Sequence, residues 1–339
     1  MTQQLLSATP SSPSKYKTTA QVLVVALVYF VSAKLGLATP SIDSHITLMW
    51  LPTGIAVAAL MRWGYICWPG IFLGALATNF SIDASPLLDA SIALGDTLGP
   101  LLAAWLLRRL KFHDVLDRAY DILILVIAAA GGMLLSASGG VSSLVISKTL
   151  PVEDAGAAWL SWWVGDFMGV LLVTPLLLNI SRTNLKKLWV QRMEFMAWCL
   201  ATLAIYWGLF YHSSNELSYS HQFAFVGVPT VIWAAMRFGV MGSSLGVLLP
   251  VFMAAWATER GLGPFYNGDD MQGRFQLGAF FLTLVLVELM VSAIQTRSKR
   301  AVEALKQNEL RFRQMFERHS SIMLLVDPVS GVIVDANLA

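Results

Sequence analysis

The stretch from Trp162 to Leu178 reads WWVGDFMGVLLVTPLLL, and nearly every residue in it suits hydrocarbon except Asp166, near its middle. A near copy, GDTLGPLLAAWLL, runs from Gly95 to Leu107 and puts Asp96 in the same place. An ionised carboxylate at mid-bilayer costs roughly 2.5–3.5 kcal/mol on insertion scales, so such residues usually face a bundle interior and serve a purpose. The glycines around them repeat too: Gly95 with Gly99 and Gly165 with Gly169 form G-x-x-x-G pairs that let helices approach closely. Two readings of the acids therefore stand side by side. They are hydrogen-bonded glue between tightly packed helices, or they are the contact for a ligand or proton.

The rest of the chain carries the same character. Of 339 residues, 56% are hydrophobic and 13% charged, with a mean hydropathy of +0.63, whereas soluble domains carry about 25% charged residues. This predicts an all-α polytopic membrane protein, a bundle of about 8–10 transmembrane helices. Ten apolar runs are candidates, at 20–38, 46–61, 65–81, 86–107, 121–147, 157–180, 194–211, 222–236, 240–257 and 275–295. The run 121–147 contains AAGGMLLSASGGVSS and is expected to tilt, break or re-enter. Cys67 and Cys199 lie in or beside apolar runs and read as packing residues.

Ten crossings would gather most basic residues on one side, among them Lys15, Arg62, Arg108, Arg109, Lys186, Arg237 and Arg297, leaving Lys148, Arg260 and Arg274 on the other. By the positive-inside rule both termini are expected in the cytoplasm. The outer links are too short to fold alone. After Ile294 the sequence QTRSKRAVEALKQNELRFRQMFERHSS predicts a charged helix with an apolar stripe through Ala301, Leu305, Phe312 and Met315, a homodimer contact. The end, IMLLVDPVSGVIVDANLA, predicts two short strands around a turn at Pro328 to Gly331, as in a domain cut short. The expected organisation is a tail at 1–19, a membrane domain at 20–295, a signalling helix at 296–317 and a truncated α/β start at 318–339.

Candidate ligand or signalling residues are Asp96, Asp166, Glu288, Trp50, Trp162, Trp163 and Arg237. Asp89 is also placed within an apolar run, seven residues before Asp96 and on the same helix face. Trp50, Trp159, Trp162 and Trp163 cluster toward the outer ends, as an interface belt or as a cage for a cationic or aromatic ligand. LPTGIAVAALMRWG from Leu51 is echoed by VPTVIWAAMRFG from Val228, each closing on Arg, an aromatic residue and Gly. Such internal symmetry also occurs in secondary transporters, which is the alternative reading. His45, His212 and His221 read as solvated, and no spacing suggests a catalytic centre, a metal site, a cofactor or nucleic-acid binding. The expected partners are membrane lipids and, within the bundle, a small ligand, a lipid or a membrane protein.

WLPTGIAVAALMRWG with WPGIFLGALATN, then WWVGDFMGVLLVTPLLL, PTVIWAAMRFG, GLGPF and the exit helix together resemble the MASE1 integral membrane sensory domain of bacterial signalling proteins. The signature positions are Trp50, Pro52, Gly54, Trp68, Pro69, Gly70, Gly165, Asp166, Gly169, Pro175, Gly263, Pro264 and Phe265. FRQMFERHSSIMLLVDPVSGVIVDANLA looks like the opening of a PAS domain. The resemblance implies a non-catalytic input region controlling a cytoplasmic diguanylate cyclase, cyclic-di-GMP phosphodiesterase or histidine kinase.

Overall fold

The computed structural model describes residues 15–38, 49–82, 85–211, 224–266 and 271–337. The chain is a multi-pass membrane helix bundle: α1 (Lys15–Ala38), α2 (Leu51–Trp63), α3 (Trp68–Phe80), α4 (Pro86–Arg109), α5 (Ala119–Ile146), α6 (Ala155–Leu178), α7 (Arg182–Val190), α8 (Arg192–Tyr211), α9 (Val228–Glu259) and α10 (Met271–Arg318). Among the described residues seven helices are long and apolar enough to cross a membrane. The difference from ten apolar runs has two causes. The runs 46–61 and 65–81 become α2 and α3, each of only 13 residues. The runs 222–236 and 240–257 join in α9, interrupted at Gly239.

The sequence echo is also a structural echo. α2 starts with Pro52 in its first turn and stops at Gly64, with φ 92° and ψ 175°. α9 starts with Pro229 in its first turn and is interrupted at Gly239, with φ 71° and ψ 179°. An L side chain is disfavoured at such φ, so glycine is what permits both breaks. Thr53 and Thr230 each donate their hydroxyl to the carbonyl three residues back, at 2.7 and 2.6 Å.

Helix ends are closed by arginines, whose charge complements the carbonyl end of a helix. Arg62 reaches the Leu177 and Ile180 carbonyls past the end of α6, both at 3.2 Å. Arg108 donates to the Leu60 carbonyl of α2 at 2.6 Å and lies over the Tyr65 ring. Of tilt, break and re-entry, the break in 121–147 does not occur: α5 is one helix of 28 residues, about 42 Å at 1.5 Å per residue, a length that fits a hydrocarbon core of about 30 Å by tilting. Its glycines serve contact instead. Gly132 lies against Gly99 and Ala103, Gly139 against Gly95, and Gly140 under the Trp162 ring.

The residues divide into two compact units, Met1–Ala293 and Ile294–Ala339. The second contains the end of α10 and an antiparallel hairpin of β1 (Leu324–Val326) and β2 (Ile333–Ala336), with Leu325 opposite Asp335. Asp327 shapes its turn, accepting from the Val329 amide at 3.0 Å and the Ser330 hydroxyl at 2.7 Å. These bonds hold the Asp327 carboxyl below the usual carboxylate range, the Val329 amide contributing most. His45, His212 and His221 fall outside the described residues.

Candidate functional site

α4, α5 and α6 meet through polar atoms in an otherwise apolar interior. Ser136 of α5 stands between the two sequence-repeated acids, its Oγ 2.5 Å from Asp166 Oδ2 and 3.1 Å from Asp96 Oδ1. All three residues are buried. One hydroxyl carries one hydrogen, so Ser136 can donate to only one carboxyl. Its contact with the other is a hydrogen bond only if that carboxyl is protonated and donates back. The trio is therefore complete only when the pair of acids holds a proton.

The short helix α2 supplies a second wall. Trp50, just before it, donates its backbone N–H to the Gly165 carbonyl at 2.9 Å. Thr53 Oγ1 lies 3.1 Å from the Asp166 carbonyl, and Thr174 donates to the Gly54 carbonyl at 3.1 Å. This seam is so close that a Cβ on Gly169 would overlap the Trp50 carbonyl oxygen. α2 thus begins beside the midpoint of the 24-residue α6, with Trp50 half-buried against it.

Tyr29 of α1 completes the group. It is fully buried and lies within electrostatic reach of both Asp96 and Asp166, with the Trp50 side chain beside it. The Trp162 side chain lies beside Asp166. Asp166 Oδ1 and Tyr29 Oη make no hydrogen bond of good geometry among the described residues, although the Trp162 and Trp50 side chains lie beside Asp166 and Tyr29. Such buried atoms are rare in native structures, and they mark where a proton, water or ligand is accommodated.

The structure brings Asp96, Asp166, Trp50 and Trp162 together and separates the remaining candidates from them. Trp163 stacks between Trp159 and Phe167, with centroid distances of 6.3 and 5.3 Å, and its indole N–H binds the Ala130 carbonyl at 3.0 Å. It lines an apolar cleft of 420 Å³ between α5, α6 and α10, with Val126, Phe167, Phe275 and Gly278. Glu288 lies in a separate cluster of serines. Arg237 pairs with Glu194 at 2.6 Å on an exposed edge. Asp89 is buried on α4. Sequence reasoning missed Tyr29, Thr53 and Ser136, and also Asp121, which accepts from the His113 amide at 3.1 Å. Among the described residues no group of three or more His, Cys, Asp or Glu could hold a metal ion.

The family match covers residues 21–299. The chain belongs to the MASE1 family. A curated relative is a probable diguanylate cyclase, DgcE, of Escherichia coli strain K12, 29% identical over 238 residues. That alignment takes in 68% of this chain and 20% of the relative, so the MASE1 chain corresponds to about a fifth of that protein's length. No solved structure matches it.

Proposed function

We propose that this MASE1 chain is the sensory input module of a bacterial signal-transduction protein, and that the Asp96–Ser136–Asp166 bridge is its sensory contact. The observation that carries the reading is one hydroxyl shared by two buried carboxyls on three different helices. A proton or small ligand that changes this bridge alters how α4, α5 and α6 are held together. Coupling of that kind requires different affinity for two packings of the bundle. The likeness to a probable diguanylate cyclase favours cyclic-di-GMP synthesis as the output, carried by sequence outside this chain and preceded by a PAS domain that begins near residue 318. The apolar stripe through Leu305, Phe312 and Met315 is exposed in the single chain. It is the surface on which a homodimer would form.

The test is Asp96→Asn and Asp166→Asn, singly and together, in the full-length protein, with cyclic-di-GMP measured in cells. Each change is expected to shift the basal output or abolish the response to stimulus. Unchanged output and unchanged response in all three variants would refute the role of the acids. Substrate-specific uptake into sealed vesicles would instead favour transport.

A further inference from the structure

Glu288 of α10 is buried at 1% exposure, on a part of the helix that belongs to the membrane unit. Three serine hydroxyls converge on its Oε1. Ser243 makes the closest contact, while Ser244 and Ser292 each lie 3.3 Å away. All three serines are buried as well. Ser243 Oγ is also 2.9 Å from Ser292 Oγ, 2.9 Å from the Gly239 carbonyl and 3.1 Å from the Val240 carbonyl.

The break in α9 builds this group. The helix resumes after Gly239, so Ser243 and Ser244 fall near the N-terminal end of its second half, where the helix dipole favours negative charge. Interrupted membrane helices, whose breaks leave backbone groups to bind, are a recurrent way of building ion sites.

Charge and hydrogen count then select the occupant. The ion pairs among the described residues are His113–Asp121, Arg118–Asp117 and Arg237–Glu194, so no cationic side chain neutralises Glu288. Four side-chain oxygens gather here, from Glu288, Ser243, Ser244 and Ser292, with three hydroxyl hydrogens to share among them, and the Gly239 and Val240 carbonyls reach the same Ser243 hydroxyl. A proton joins two oxygens and leaves the others as they were; a metal cation engages several at once. One carboxylate balances one positive charge, whereas a divalent ion would leave a net charge buried in hydrocarbon.

We infer that Glu288, with the hydroxyls of Ser243, Ser244 and Ser292 and the carbonyls at the α9 break, forms an intramembrane binding site for one small monovalent cation, sodium being the ion to test. The site is separate from the Asp96–Asp166 bridge, and it fastens α10 to α9 when filled.

The measurement is the melting temperature of the whole chain in detergent, with sodium chloride replacing choline chloride at constant ionic strength and fixed pH. Sodium is expected to raise it saturably by a few degrees between about 1 and 100 mM. Glu288→Gln is expected to abolish the rise, and Ser292→Ala to move its midpoint about tenfold higher in sodium. Should Glu288→Gln fail to fold, Ser292→Ala decides alone. Equal melting temperatures in sodium and choline overturn the inference, as does a sodium response unchanged by the serine variant. A melting temperature that rises on acidification without any sodium dependence overturns it in favour of a bound proton.

Discussion

Gly169→Ala is the most direct test of the seam that seats α2 on α6. A Cβ at this position would stand 2.7 Å from both Thr53 Oγ1 and the Trp50 carbonyl carbon, and would overlap the Trp50 carbonyl oxygen. Those are mostly backbone atoms and cannot rotate away, so α2 as a whole must withdraw. A shift of about 1 Å stretches the 2.9 Å bond from the Trp50 amide to the Gly165 carbonyl, and the 3.1 Å bond from Thr174 to the Gly54 carbonyl, beyond bonding range. Overpacking costs about 1–3 kcal/mol and each lost hydrogen bond about 0.5–1.5 kcal/mol, giving about 2–6 kcal/mol in total. Melting followed by tryptophan fluorescence in detergent should fall by at least about 4 °C. The control is Gly208→Ala in α8, where an added Cβ meets nothing within 4 Å. Alanine is the better helix former by about 1 kcal/mol, so this variant should melt at or above the wild-type temperature. If Gly169→Ala melted within about 1 °C of Gly208→Ala, the close α2–α6 contact would be wrong.

Gly239→Ala should destabilise the chain by about 1–3 kcal/mol through backbone conformation alone, because φ +71° with ψ 179° is a combination essentially confined to glycine and nothing lies within 4 Å of the added Cβ; Gly239→Asn should lose a similar amount in the same melts, since Asn tolerates positive φ only with ψ of about +47°. Ser136→Ala removes the hydroxyl shared by Asp96 and Asp166 and should cost about 1–3 kcal/mol. Combined with Asp166→Asn in a double-mutant cycle it should show coupling of at least about 0.5 kcal/mol, and strict additivity would mean that no bridge exists. Asp327 should titrate below the ordinary value of about 3.9 when its carboxyl is followed by carbon NMR, and Ser330→Ala should raise the midpoint. Because the folded value lies below the unfolded one, its contribution to the hairpin is fully present above the unfolded value and is lost as pH falls through the folded value.

Asp96 and Asp166 were legible in the sequence because a carboxylate in hydrocarbon has few innocent explanations. Ser136, which joins them, was not: a serine among SASGG looks the same whether it packs or bridges, and its two partners lie 40 and 30 residues away. The seat of Trp50 was not legible, since indoles favour the interface and nothing local reveals that α2 starts beside the middle of α6. The Arg–aromatic–Gly echo pointed to both helix breaks, at Gly64 and Gly239, because φ above zero needs glycine. The glycines of α5 suggested tilt, a break or re-entry, and of these the break is absent. Propensity measured in water treats glycine as a weak point, while between membrane helices its missing side chain is a docking surface. Glu288 stood out by charge, but only Ser292 of its hydroxyl partners lies on the same helix.

That glycine surface has a mechanical side. Where Gly95 and Gly99 face Gly132 and Gly139, the two backbones touch with almost no side-chain relief between them. Interlocking knobs resist sliding, but two smooth rods slip along their length with little resistance, the small-amplitude shear by which packed helices move. Ser136 lies within this smooth track and is bonded to the acids on either side. Its hydrogen bonding with Asp96 and Asp166 is what opposes such sliding of α5 along α4.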